Sequence, residues 1–163
     1  VRPDVIAAAL LACLCADLLR IGRPVCRCVL HHGTTAPPMD ACDCECPPVP
    51  PSGAAGQGQA WVRLASMSAL PPTPESRAAE VTLWRATWEA GVYRCITTTP
   101  DGGPIDPAAA NADATALLLD AAALARLVCC EALEGRDVQV SEWTPAGPAG
   151  GCAGGSIRIS ADL

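Results

Sequence analysis

Glu80-Val-Thr-Leu-Trp-Arg-Ala-Thr-Trp-Glu-Ala-Gly-Val-Tyr-Arg-Cys-Ile-Thr97 is the stretch on which the fold turns. It reads as a long strand or a tight hairpin, with Val81, Leu83, Trp88, Val92, Tyr93 and Ile96 as candidate inward groups. Gly91 is expected to mark a bulge or bend that lets the strand curl. Upstream, Gln59-Ala-Trp-Val-Arg-Leu-Ala65 reads as another strand, separated from the first by the proline-rich turn Leu70-Pro-Pro-Thr-Pro74. Downstream, the turn Asp101-Gly-Gly-Pro104 leads into a helix expected from Pro107 to Leu133. Leu117, Leu118, Ala121, Leu124, Ala125 and Val128 form its apolar face, and Gly135 stands where a left-handed cap belongs.

The ends complete the pattern. Pro3 to about Ile21 reads as a first helix, with Val5, Ile6, Leu10, Leu14, Leu18 and Ile21 at steps of three and four, stopped by Gly22 and Pro24. So wide an apolar stripe suggests burial on two sides, one of them against a neighbouring subunit. Val25-Cys-Arg-Cys-Val-Leu30 reads as a first strand. His31 to Gln59 reads as a long loop, mobile in its second half, because Pro37, Pro38, Pro47, Pro48, Pro50 and Pro51 with Gly53, Gly56 and Gly58 oppose regular structure. Val138, Val140 and Trp143 begin a strand, Thr144 to Gly155 form a glycine-rich connection, and Ser156-Ile-Arg-Ile-Ser160 alternates as a last strand. The order α-β-loop-β-β-α-β-β describes an α+β fold, an antiparallel sheet packed by two helices, in a single domain over residues 1–163.

Composition bounds the function. Half of the 163 residues are apolar and mean hydropathy is +0.26, which excludes wholesale disorder. With 3% aromatic residues and no Phe, the core must be built from Ala, Leu, Val, Ile and Cys. All eleven basic residues are Arg, which we read as a coding bias towards G and C. A pI near 4.7 and a formal charge of −6 argue against a protein that grips nucleic acid through its phosphates. Leu10-Leu-Ala-Cys13 spells a lipoprotein cleavage box, but Asp4 interrupts the basic start that an export signal wants. The uncharged run Val5 to Ala16 is well short of the ~20 residues that span a bilayer. No membrane association is expected.

Catalytic motifs are lacking: there is no Gly-x-Ser-x-Gly, no phosphate-cradling glycine loop and no His-Glu-x-x-His, so no enzyme is expected. The eleven cysteines lack an export signal beside them, so no disulfide framework is read from their spacing, and most are expected to be reduced and to pack as small hydrophobes. Of Cys129 and Cys130, about 100° apart on a helix, one is expected in the core and the other on its flank. A metal site has one candidate set: Cys26 and Cys28, then Cys42, Cys44 and Cys46, with His31 and His32 between, offer more soft ligands than a tetrahedral zinc needs. In extended chain each Cys-x-Cys presents both sulfurs on one side. The acidic neighbours Asp40, Asp43 and Glu45 and the one-residue spacer weigh against zinc, and no other cofactor is expected.

Trp143-Thr-Pro-Ala-Gly-Pro-Ala-Gly-Gly-Cys-Ala-Gly-Gly155 is the most distinctive segment. It is longer than the two to five residues a hairpin turn needs, and its glycines permit close backbone approach. Together with Pro24-Val-Cys-Arg-Cys28, Gly58-Gln-Ala-Trp-Val-Arg-Leu64 and Gly91-Val-Tyr-Arg-Cys95, it resembles the neck proteins of long-tailed bacteriophages of actinobacteria, above all the tail terminator (tail-completion) type. The proline-rich insert from Cys46 to Gln57 departs from that pattern. The resemblance implies a virion protein assembled in the host cytoplasm as a ring, most simply a hexamer, on the head-proximal end of the tail tube. Its partners would be other copies of itself, the tail tube protein and the head-side connector or stopper, with DNA passing an acidic lumen without specific binding. Trp143, Pro145, Gly147, Pro148, Gly150, Gly151, Gly154 and Gly155 are the expected interface residues. The rival readings are the adjacent stopper ring and a small cytosolic zinc-binding module.

Overall fold

The computed structural model describes residues 2–33, 35–37, 42, 44, 46–49, 54–70, 83–99 and 101–163. Along the chain lie α1 (Pro3–Arg20), β1 (Arg27–Leu30), β2 (Cys46–Val49), β3 (Ala54–Gly56), β4 (Gln59–Ala69), β5 (Trp84–Cys95), α2 (Pro107–Ala125), β6 (Val138–Val140), β7 (Thr144–Ala149) and β8 (Cys152–Asp162). This is an α+β fold, with two helices and a mostly antiparallel sheet.

β5 lies at the middle of that sheet. It is one strand, not a hairpin, and pairs antiparallel with β4 from Gln59↔Tyr93 to Ala69↔Trp84 and with β8 from Arg85↔Asp162 to Cys95↔Cys152. Residues alternate between the two faces. Ala86, Trp88, Ala90 and Val92 join the core beneath the helices, whereas Tyr93 is buried on the opposite face, its ring centroid 5.6 Å from that of Trp61. Leu83 stands 47% exposed and Ile96 is half-buried, so neither serves the core as expected; Val81 lies outside the described residues. Gly91 makes no bulge. The register break falls in β4 between Leu64 and Ser66, and glycine is required at 91 because the Trp61 indole lies where a Cβ would project.

α1 opens on a proline whose missing N–H costs nothing in a first turn. Ile6, Leu10, Leu14 and Leu18 form one buried row. Each large aliphatic side chain withdrawn from water contributes about 1.5–3 kcal/mol, so this row fastens the helix to the sheet. Val5, one position round the helix from that row, is exposed, and Ile21 is half-buried.

β1 begins at Arg27, not Val25, and runs parallel to β4, with Arg27↔Gln59 to Leu30↔Val62 as partners. A parallel pair needs a long crossover, and residues 31–58 supply it. That connection is not loop throughout: β2 and β3 form a two-stranded antiparallel sheet within it, although residues 34, 38–41, 43, 45 and 50–53 lie outside the described residues. The turn expected at 70–74 lies outside them from residue 71 on.

α2 is capped by the Asp106 carboxylate, which accepts the Ala109 N–H at 3.1 Å. It ends at Ala125, short of the expected Leu133, and the chain continues as 3₁₀ turns at Arg126–Cys129 and Glu131–Leu133. The buried residues there are Leu127, Cys130 and Leu133, with Cys130 in extended conformation between the two 3₁₀ turns. Asp17 ties α1 to this turn. Burial pushes its carboxyl up, but the guanidiniums of Arg126, with Nε 2.7 Å away, and Arg20, with Nε 3.0 Å away, outweigh burial and hold it below the usual carboxylate range.

Two helices and the sheet meet at Arg94 of β5. Its Nε and Nη2 donate to the two oxygens of Asp120 on α2 at 2.8 and 2.9 Å, and Nη1 and Nη2 donate to the carbonyls of Pro24 and Arg23 at 2.9 and 2.8 Å. Arg94 and Asp120 are each 3% exposed. Removing one partner of such a pair strands the other charge in the core. Asp120→Ala is therefore expected to lower unfolding stability by about 3–5 kcal/mol in a denaturant titration; a loss below 1 kcal/mol would mean that the pair is not what anchors α2.

Candidate assembly surface and cysteine cluster

The glycine-rich segment, expected as one long connection, is a hairpin. β7 and β8 are antiparallel, joined by Gly150 and Gly151 at φ +57° and +77°, the positive values that a two-residue turn demands at both central positions. Gly147, at φ +90°, and the cis Gly147–Pro148 peptide sit within the register break between Ala146 and Ala149. The expected interface residues divide into two groups. Trp143 is half-buried with its indole across Gly155, and Gly154 lies against the Val92 carbonyl and Tyr93, so these three are engaged within the chain. Pro145, Gly147, Pro148 and Gly150 are exposed and Gly151 is half-buried. Pro148 to Gly151 face Thr97 to Thr99 and Ile105 across an open groove of about 310 Å³.

Large apolar side chains stand exposed elsewhere. Leu118 and Leu119 on α2 are 63% and 46% exposed, and Leu118 and Ala125, expected in the core, instead point to solvent; Leu117 and Ala121 are half-buried. The reason is that only Asp120, Ala123 and Leu124 of α2 are buried, a narrow strip of the helix. Val128, in the turn after α2, is exposed as well. A second set, Leu64, Met67, Leu83 and Trp84, clusters in sequence around the end of the β4–β5 ribbon where Ala69 pairs with Trp84.

The other face of the sheet carries a buried ion pair, Arg63 with Glu89, whose second oxygen accepts the Ser156 hydroxyl at 3.0 Å. Glu89 and Ser156 line a cavity of about 330 Å³ with Ser141, Glu142, Thr144, Ile157 and Arg158. Both Glu89 oxygens are committed to partners, which makes it a structural group. His31 and His32, adjacent with ring centroids 5.7 Å apart, are not grouped with any cysteine among the described residues.

The cysteines overturn the expectation of reduced thiols. Five pairs stand at Cα–Cα distances of 5.3 to 6.5 Å: Cys13–Cys130, Cys15–Cys28, Cys26–Cys46, Cys42–Cys152 and Cys44–Cys95. Cys129 is free and exposed, while Cys130 is buried, the expected division of core and flank, although Cys130 is extended and not part of the helix. The expected metal set of Cys26, Cys28, Cys42, Cys44 and Cys46 is not brought together: Cys26 and Cys46 bond to each other and Cys28 bonds to Cys15. Instead the sulfurs of Cys42, Cys44 and Cys95 lie within 4.8 Å of one another. Cys95 and Cys152 carried no local signal, because they become neighbours only through the β5–β8 register.

Among the described residues no helix is long and apolar enough to cross a membrane. No protein-family model matches the chain, and no curated protein matches it either.

Two expectations follow. Gly155→Ala should displace Trp143 and shift its fluorescence to the red, with a stability loss of about 1–3 kcal/mol, as overpacking costs; an unchanged spectrum would show that the indole does not rest on Gly155. Alkylation of the unreduced protein, read by peptide mass spectrometry, should modify Cys129 alone.

Proposed function

We propose that the chain is a structural protein of a bacteriophage neck, a ring subunit that caps the tail tube, ends its polymerisation and joins it to the head-side connector. The observation that carries this reading is the pair of exposed apolar sets on different elements, Leu118 and Leu119 on α2 and Met67, Leu83 and Trp84 at the ribbon end. A head-to-tail ring needs two unlike patches on each copy, one to meet the other on the next copy, and closes when the rotation allows. Exposed apolar sets of this kind mark interaction surfaces. The resemblance of the Trp143–Gly155 segment to tail terminators supports reading the ring as one of these. The cysteine pairs agree with a virion, which leaves the reducing cytoplasm for an oxidising exterior. An acidic chain, at −6 formal charge, suits a channel through which DNA slides without sticking.

The adjacent stopper ring is the nearer rival, and a cytosolic zinc module on Cys26, Cys28, Cys42, Cys44 and Cys46 is the farther one. Against the module stands the engagement of Cys26, Cys28 and Cys46 in other pairs.

Light scattering of the purified chain, alone and with purified tail tubes, tests the proposal. A discrete ring mass is expected, and Leu118→Glu or Trp84→Ser should return the protein to monomer while leaving its circular dichroism unchanged. Binding to tail tubes in a pull-down separates a terminator from a stopper, which would bind the portal-side ring. A chain that stays monomeric in both settings is not a ring subunit.

A further inference from the structure

At the Cys95–Cys152 end of β5 and β8 the sulfurs of Cys42, Cys44 and Cys95 lie within 4.8 Å of one another, and Cys152 joins them through its pairing with Cys42. Cys95 and Cys152 are directly opposed residues of the two strands, so their Cβ atoms are cross-strand neighbours. Cys42 and Cys44, separated by one residue, reach this end of the sheet from the crossover connection, and each meets one strand cysteine: Cys42 meets Cys152 and Cys44 meets Cys95. The two pairs are not independent, because the Cys42 and Cys95 sulfurs approach to 3.5 Å across them. Four thiolates around a tetrahedral ion at a metal–sulfur distance of about 2.3 Å stand about 3.8 Å apart, close to the 3.5 Å between the unbonded sulfurs of Cys42 and Cys95. Cys152 is 2% exposed and Cys44 is exposed, so the group has a dry floor and an open mouth through which an ion can enter.

We propose that in the reduced protein Cys42, Cys44, Cys95 and Cys152 bind one thiophilic divalent cation, of which zinc is the type, in place of the two disulfides. The site joins a Cys-x-Cys segment to a cross-strand cysteine pair, so metal and disulfides fasten the crossover to the same point of the sheet. Conversion between the two forms is balanced. Two small-molecule disulfides accept four electrons from the four thiolates and, with four protons, leave as four thiols, while two protein S–S bonds form and the ion is released. The inference does not rest on the neck reading, since a monomer would hold the site equally well.

The test uses the full chain reduced and freed of metal. Titration with cobalt(II) should give the visible absorption of a tetrahedral tetrathiolate site, saturating at one ion per chain. Zinc should then protect Cys42, Cys44, Cys95 and Cys152 from alkylation, as mapped by peptide mass spectrometry, and leave Cys26, Cys28, Cys46 and Cys129 reactive. Cys95→Ser should weaken binding by about tenfold or more, whereas the double variant Cys26→Ser, Cys46→Ser should keep it. The wild-type spectrum and protection map need no variant to fold. An octahedral or absent cobalt spectrum, or protection that falls on Cys26, Cys28 and Cys46, would overturn the proposal.

Discussion

A guanidinium cut off from water must find acceptors for five N–H bonds, and Arg94 finds them in three separate parts of the chain. Asp120 of α2 takes two, and the carbonyls of Arg23, Pro24 and Gln57 take the others. These contacts set where α2 crosses β5, and they set where the chain leaving α1 turns towards β1. The core beneath the helices is mostly Ala, Leu, Ile and Val, with Trp88 its one aromatic ring. The charged pair supplies direction where the apolar contacts supply mainly area.

Covalent ties do the comparable work at the periphery. Cys13–Cys130 joins α1 to the turn after α2 across 117 residues, and Cys42–Cys152 joins the crossover to β8 across 110. Closing loops of this length in the unfolded chain removes about 4–5 kcal/mol of conformational freedom apiece in the chain-entropy picture. The paired strands β2 and β3 of the crossover between β1 and β4 form a separate two-stranded sheet that does not join the main one. The crossover is fastened by sulfur at Cys26–Cys46 beside β3 and at Cys42 and Cys44 on the sheet end, and by hydrogen bonds of Gln57 and Gly58 to Pro24, Cys26 and Arg94.

Small residues recur wherever aromatic rings must fit. Gly91 receives Trp61 and Gly155 receives Trp143, so two of the chain's four Trp reach into space that a side chain on these strands would fill. The glycines of the β7–β8 hairpin accordingly serve two ends. Gly154 and Gly155 complete the interior, and Gly150 and Gly151 turn the chain, leaving Pro145, Gly147 and Pro148 to the surface. The apolar surface of α2 and of the β4–β5 ribbon is then what a protein interface would draw on, as it consists of larger side chains that no part of the described chain covers.

Periodicity alone determined the existence of the two helices, the buried row Ile6, Leu10, Leu14 and Leu18, and the strands at 59–65 and 156–160, because each is a local pattern imposed by the helix or strand repeat, whereas it left 80–97 open between a strand and a hairpin. The same local logic misread whatever depended on a distant partner. Gly91 looked like a bend because the Trp61 ring that excludes a side chain there lies thirty residues away in sequence. The helix after Pro107 looked longer because the spacing of Leu127, Cys130 and Leu133 acquires meaning only against the α1 row they cover. Cysteine spacing within 26–46 suggested one metal set, whereas tertiary structure divided it and recruited Cys95 and Cys152. Sulfur pairing is decided by distance in space, and that distance is set by strand register, which no short stretch of sequence contains.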